Sequence, residues 1–224
     1  MDLNNKTLFI FDLDGTLVDT APDFKNSLNY MLTEMGEETV ELNDIRNWVG
    51  YGARELIRRT VEAKKIKHND KKINEMLRIF LLHYTHNIDD DSVLYHNVED
   101  FLKLLKQNNI KTSVCTNKME SLSVMLLEKL GVLNLFDYLV GGDTFKKNKP
   151  DPYPLLQICK KLEIDTNNSI MIGDSITDLR AGHAANMPVV LVDYGYTDDT
   201  SIYDKADLVI DDFNQMKKLV KGSN

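Results

Sequence analysis

Only two cysteines occur in the 224 residues, Cys115 and Cys159, far apart and without a Cys-x-x-Cys spacing. That excludes a disulfide scaffold and a thiolate metal knot, and both read as small core residues of a reducing compartment. Long apolar runs are missing as well. No stretch approaches the roughly 20 residues needed to cross a bilayer. The first apolar run, Leu8 to Phe11, meets Asp12 too early for a secretory leader. Positive charge is in deficit: 27 basic against 35 acidic residues give a net charge of −8 and a pI near 5.1. This argues against nucleic acid or an anionic membrane as a partner, so an anionic ligand must be drawn in by local positive groups. Repeats and low-complexity segments are also absent. What is present, 42% hydrophobic and 28% charged residues, suffices for one full core and a smaller second one. The expectation is a soluble, cytoplasmic globular protein, and monomer and homodimer are both compatible with it.

Short apolar runs bounded by turn residues alternate with helix-period segments. The runs are Leu8 to Phe11, Thr112 to Cys115, Leu139 to Val140, Ile170 to Ile172, Val189 to Val192 and Leu208 to Ile210. Between them, Val98 to Gln107, Met119 to Leu130, Tyr153 to Leu162 and Ile176 to Ala185 have amphipathic helical spacing. The alternation predicts an α/β fold, a parallel sheet covered by helices on both faces. Residues 19–91 break the pattern. They lack strand runs and show helical patterning through Phe24 to Met35, Asn43 to Trp48, Ala53 to Ala63 and Ile73 to His86. We expect an all-helical cap over 19–91, inserted into a core made of 1–18 and 92–224, with hinges near Val18 to Pro22 and Asn87 to His96. Thr20-Ala21-Pro22-Asp23 reads as the first helix start, with a side-chain cap and proline in the first turn.

The strongest chemical signal is Phe9-Ile10-Phe11-Asp12-Leu13-Asp14-Gly15-Thr16, where a buried strand ends abruptly in two carboxylates. Two such charges about 5 Å apart repel by roughly 3 kcal/mol at an effective dielectric of 20, and a metal ion or shared proton relieves this. Three later segments fall where an open α/β sheet binds ligands, beyond the carboxyl ends of its strands. Thr116-Asn117 offers a hydroxyl and a following helix N-terminus, and equally suits a plain helix cap. Lys149-Pro150-Asp151-Pro152 sets one cation in a proline-stiffened loop, where a solvated surface lysine is the ordinary alternative. Gly173-Asp174-Ser175-Ile176-Thr177-Asp178 repeats the pattern of strand, glycine and paired acids, with Asp178 one helical turn beyond Asp174.

Taken together, in order and context, these four segments resemble the four motifs of the haloacid dehalogenase superfamily, with its Rossmann-like core. Val49-Gly50-Tyr51-Gly52-Ala53-Arg54, Thr116-Asn117-Lys118 and Tyr194-Gly195-Tyr196 further resemble its phosphoglycolate phosphatase group. Asn186 stands where relatives usually have glycine, and Asn is the next-best residue for a left-handed helix end. The resemblance implies a Mg²⁺-dependent phosphomonoester hydrolase. Asp12 would be the nucleophile that forms an aspartyl-phosphate. Asp14 would act as general acid and then base, its pKa raised by Asp12 and Asp174. Asp12, the main-chain carbonyl of Asp14 and Asp174 would hold Mg²⁺, with Asp178 orienting them. Thr116, the Asn117 N–H and Lys149 would bind phosphoryl oxygens. The substrate would be a small phosphorylated metabolite, 2-phosphoglycolate above all. In the cap, Gly52 and Arg54 are the substrate-binding candidates, Arg54 because a guanidinium grips a carboxylate in bidentate fashion.

Two other functions share these residues, a β-phosphoglucomutase-like phosphomutase and a non-catalytic phosphate-binding regulator. A dehalogenase needs neither Asp14 nor Mg²⁺. Asp12-x-Asp14-Gly15 is no calcium loop, because the glycine falls two positions early. Gly50-Tyr51-Gly52 lacks the third glycine of a dinucleotide fingerprint. His83 and His86 lack further zinc ligands, Trp48 reads as cap core, and Asp89-Asp90-Asp91 and Asp198-Asp199 read as solvated loop charges.

Overall fold

A computed structural model describes residue 3 and residues 5–221 of the chain. Six strands form one parallel sheet: β1 (Leu8–Phe11), β4 (Lys111–Cys115), β5 (Tyr138–Val140), β6 (Ser169–Gly173), β7 (Val189–Val192) and β8 (Leu208–Ile210), in the order β5-β4-β1-β6-β7-β8. All six expected runs are strands. β1 is central, with Phe11 opposite Val114 of β4 and Ile172 of β6. The catalytically suspect ends of three strands therefore lie side by side.

Alternation along the strands divides the core. Phe9, Phe11, Ile170, Ile172 and Val190 face one side, where they meet α5 (Val98–Gln107), α6 (Glu120–Lys129) and α9 (Phe213–Lys221). Leu8, Ile10, Met171, Val189 and Leu191 face the other, against α7 (Tyr153–Leu162) and α8 (Ile176–Ala184). Phe101 of α5 and Phe213 of α9 pack at 5.3 Å between ring centres under β1. The helix α9 was not anticipated. Cys115 and Cys159 are buried and unpaired in the second layer, and burial pushes the Cys115 thiol up to about 12. Asn186 is left-handed (φ 56°), and the Met187 N–H closes the end of α8 on the Gly182 carbonyl, as expected for that residue.

Four helices lie between the sheet's first and second strands in chain order: α1 (Ala21–Glu34), α2 (Leu42–Arg46), α3 (Ala53–Ala63) and α4 (Asp70–His86). They are entered and left through a two-residue antiparallel pair, β2 (Val18–Asp19) with β3 (Val93–Leu94), too short to be read from sequence. Asp23, fully buried in the first turn of α1, accepts from the main-chain N–H groups of Asp91 and Ser92 and from the Ser92 hydroxyl, tying the two crossings together. Asp89 pairs with Lys129 of α6. The Asp91 carboxylate accepts from the Asn26 amide, so both acids are partnered rather than merely solvated. The capping expected of Thr20 is not made: its hydroxyl donates to Asp14 at 2.8 Å instead. Trp48 is half-buried against the apolar core. His83 stacks on Tyr30 and meets the Ser27 hydroxyl. His86 turns to its own helix carbonyl at Leu82. Among the described residues no helix is long and apolar enough to cross a membrane.

Candidate active site

Asp12 follows β1 directly, and its N–H still pairs with the Ile172 carbonyl of β6 at 2.8 Å, so the sheet itself fixes where its carboxylate begins. The chain then curls back on itself: the Gly15 N–H bonds the Val18 carbonyl, and Gly15 adopts φ +83°. A β-carbon at Gly15 would lie 2.5 Å from an oxygen of Asp174, which makes glycine obligatory for both conformation and approach. Gly195 presses on Asp174 from the other side, where a β-carbon would come within 2.2 Å.

Asp12, Asp174 and Asp178 each present a carboxylate oxygen within 4.8 Å of the others, all buried. Asp174 accepts from the Tyr196 N–H at 2.7 Å and from the Thr16 hydroxyl at 3.1 Å, and no cation among the described residues pairs with it. Asp178 caps α8 through Ser175 with one oxygen and takes Lys149 Nζ at 2.6 Å with the other. Lys149 also reaches Asp12 at 2.8 Å and is only 2% exposed. It is no surface lysine.

Three buried carboxylates around one ammonium leave excess negative charge, and the pKa directions report it. Burial, then the Asp178 charge, pushes Asp12 up to about 7 against the pull of Lys149. Burial, then Asp178 and Asp12, holds Asp174 well above the carboxylate range. Burial would lower the Lys149 ammonium, but Asp12 and Asp178 overcome it and raise it. An all-oxygen donor set with surplus negative charge fits a hard divalent cation. The three acids can hold a metal ion; of the residues expected as ligands, Asp12 and Asp174 are in this cluster.

Asp14 points to the other side of Asp12. Its Oδ1 takes Thr20 Oγ1 and Lys118 Nζ at 3.0 Å. Asp12 and Asp174 are the only charged neighbours expected from sequence, and Lys118 adds one of opposite sign. Lys118 was not given a role from sequence. It is buried, donates to the Tyr84 hydroxyl at 2.7 Å, and lies over the rings of Phe24 and Tyr84 at 4.3 and 4.5 Å. Burial lowers its pKa against the pull of Asp14. Thr116 is buried beside it and accepts the Lys118 N–H, which leaves the hydroxyl proton free to be given to a ligand. The Asn117 N–H has no acceptor among the described residues, while its side-chain amide bridges the Gly50 and Lys149 carbonyls.

These groups open into a cavity of about 60 Å³ whose far wall is helical, from Phe24, Leu56, Phe80 and Tyr84. Gly52 (φ +87°) lines it. Arg54 does not: it is exposed on α3 and bonds the Asn74 side chain of α4. Arg59, one turn on, borders a second opening that reaches Asp174 and Tyr196, and its guanidinium sits 4.4 Å over the Tyr51 ring. Tyr196 was quoted only as part of a motif. Its hydroxyl accepts from the N–H groups of Thr20 and Ala21 and donates to Asp19, so it ties the first crossing to the acid cluster. Asp19 in turn pairs with Arg46 at 2.7 Å.

A parallel α/β sheet that gathers a buried acid trio, a paired lysine and unspent donors at its strand ends defines an enzyme acting on an anionic group with the help of a cation. The chain belongs to the haloacid dehalogenase-like hydrolase family, whose model matches residues 9–192. Its relatives include a phosphoglycolate phosphatase of Agrobacterium fabrum, 41% identical over 92% of this chain and 88% of the relative. That of Chromobacterium violaceum is 35% identical over 99% of this chain and 100% of its own. A crystal structure from Haemophilus somnus 129PT, described as a predicted phosphoglycolate phosphatase, superposes with a TM-score of 0.92 at 31% identity, covering 97% of this chain and 99% of the other. A β-phosphoglucomutase from Clostridium difficile superposes with a TM-score of 0.76 at 26% identity, over 96% and 97%.

Proposed function

We propose that the protein is a Mg²⁺-dependent phosphatase of a small phosphorylated metabolite, with 2-phosphoglycolate as the favoured substrate and the cytoplasm as its compartment. The observation that carries this is Asp12 at a strand end, clamped by Lys149 within an acid cluster that has surplus negative charge; the names of the relatives support the substrate. In this reading Asp12 attacks phosphorus in line and becomes an aspartyl-phosphate. Lys149, the Thr116 hydroxyl and the Asn117 N–H bind the transferring oxygens where charge spreads. Asp14 protonates the leaving oxygen, then takes a proton from water, with Thr20 and Lys118 fixing its rotamer. Mg²⁺ would be held by Asp12, Asp174 and the Asp14 carbonyl, with Asp178 orienting Lys149 and the helix end, and would supply charge neutralisation at the phosphoryl group. Helices α1 to α4 act as a cap that excludes water from the cavity.

Phosphate release from 2-phosphoglycolate should appear with Mg²⁺, vanish in EDTA and return on Mg²⁺ addition, while Ca²⁺ should inhibit through its looser shell. Release equal in EDTA and Mg²⁺ would remove the metal from the reaction. Transfer to a sugar without phosphate release would instead select the phosphomutase.

The raised acids give this metal step a pH dependence. In the metal-free protein the folded state holds protons on Asp12 and Asp174 that the unfolded chain has lost by neutral pH. This site therefore favours folding at lower pH, and the Asp12 part of that contribution is lost as pH rises through about 7. Binding a divalent cation must expel those protons. Mg²⁺ affinity should thus fall by about tenfold per pH unit for each proton displaced as pH drops below 7. Titration calorimetry in two buffers of different ionisation enthalpy measures the release, and a flat affinity from pH 8 to 6 without it would contradict the assignment.

A further inference from the structure

We propose that Lys118 recognises the carboxylate of the substrate's leaving group and so selects phosphate esters of short 2-hydroxy acids, an inference that rests on the phosphatase reading above. Among the described residues, Lys118 is the one cation lining the cavity in front of Asp12. It is 7% exposed, and two of its three N–H donors are matched, by Asp14 at 3.0 Å and Tyr84 at 2.7 Å. The third has no acceptor among the described residues. Arg54 lies outside this cavity, on the exposed side of α3.

The surroundings specify the ligand's chemistry. The rings of Phe24 and Tyr84 flank the ammonium, and Leu56 and Phe80 continue the wall. A sugar hydroxyl set against that wall would lose its hydrogen bonds to water without replacement. A single buried ammonium with one free donor matches a monoanionic carboxylate, and the apolar walls strengthen that contact by excluding solvent. Spacing narrows the class further. Asp14, which meets the ester oxygen, is in direct contact with Lys118, so the ester oxygen and the carboxylate must lie next to each other in the substrate. A 2-hydroxy acid has that arrangement. The cavity, about 60 Å³, holds roughly four to six water-sized groups, which limits the tail to a few atoms.

The test compares Lys118→Met with wild type on 2-phosphoglycolate and on ethyl phosphate, which replaces the carboxylate by a methyl group. Any loss through Asp14 positioning is common to both esters and cancels in the ratio of their kcat/KM values. We expect that ratio to fall by about thirty- to a hundredfold in the variant, the worth of a buried charge-assisted contact. An unchanged ratio, with both esters losing equally, overturns the assignment. A wild type that hydrolyses neither ester defeats the phosphatase reading itself. Lys118 is then judged by calorimetric binding of 3-phosphonopropionate against propylphosphonate with Mg²⁺ present. A preference for the former that disappears in Lys118→Met upholds the role, and a preference that survives ends it. Melting curves of the variant show that the comparison is made on folded protein.

Discussion

Replacing Lys149 with methionine should destabilise the metal-free protein by about 3–5 kcal/mol, since breaking a buried ion pair leaves uncompensated charge behind. Methionine keeps the length of the side chain and removes the ammonium that sits 2.8 Å from Asp12 and 2.6 Å from Asp178. At about 2–4 °C per kcal/mol for a chain of this size, the midpoint should drop by roughly 6–20 °C. Mg²⁺ should recover part of the loss, because it supplies positive charge to the same acids. Activity should fall at least about a hundredfold even with Mg²⁺, through lost stabilisation of the phosphoryl oxygens. Urea unfolding in EDTA and in Mg²⁺, beside steady-state rates, checks both halves. Stability within about 1 kcal/mol of wild type would place Lys149 outside the acid cluster's balance.

Asp12→Asn should act in the opposite sense on stability and more severely on rate. The amide is isosteric but a poor nucleophile, so turnover should fall more than about a thousandfold, roughly 4 kcal/mol in barrier. Folding should be unharmed or improved, because one of three crowded acids is neutralised while Lys149 keeps Asp178. Acid-quenched samples should contain phosphorylated protein for the wild type during turnover and none for the variant. Activity above a thousandth of wild type would falsify the covalent role.

The sheet was legible because each buried strand is a short apolar run between turn residues, and α3, α5 and α7 begin and end where their spacing predicts. The helix α9 escaped because it is only nine residues long and five of them are polar, although Phe213, Met216, Leu219 and Val220 all pack toward the core. At the site, Asp12, Asp174, Asp178, Thr116 and Lys149 stood out as polar residues where apolar runs stop or prolines stiffen a loop. Lys118 did not, since its burial comes from Phe24 and Tyr84, which reach it from α1 and α4 across long sequence gaps. Arg54 illustrates the reverse. Its neighbourhood, beside Gly50 and Gly52, does line the cavity, but the phase of α3 turns Leu56, Ile57, Thr60 and Val61 inward and leaves Arg54 and Arg58 outward. Reading that helix by its buried stripe, rather than by its nearness to the glycines, separates the two faces.

The pairing of Val18 with Leu94 and of Asp19 with Val93 has a consequence for how such a chain can diverge. Seen from the sheet, residues 20–92 are one loop whose two ends stay about 5 Å apart, the spacing of an antiparallel pair. Doubling such a loop adds only about 0.6 kcal/mol of closure entropy. The helices between those ends can therefore be lengthened, shortened or exchanged while Asp12 and Asp174, just past their strands, and Lys149, in the loop before α7, keep their places at the sheet's carboxyl edge. A graft made at these two rungs would carry the limit on substrate size and shape with the helices. The ammonium of Lys118 would remain with the sheet, while Phe24 and Tyr84, which bury it, would leave with the helices.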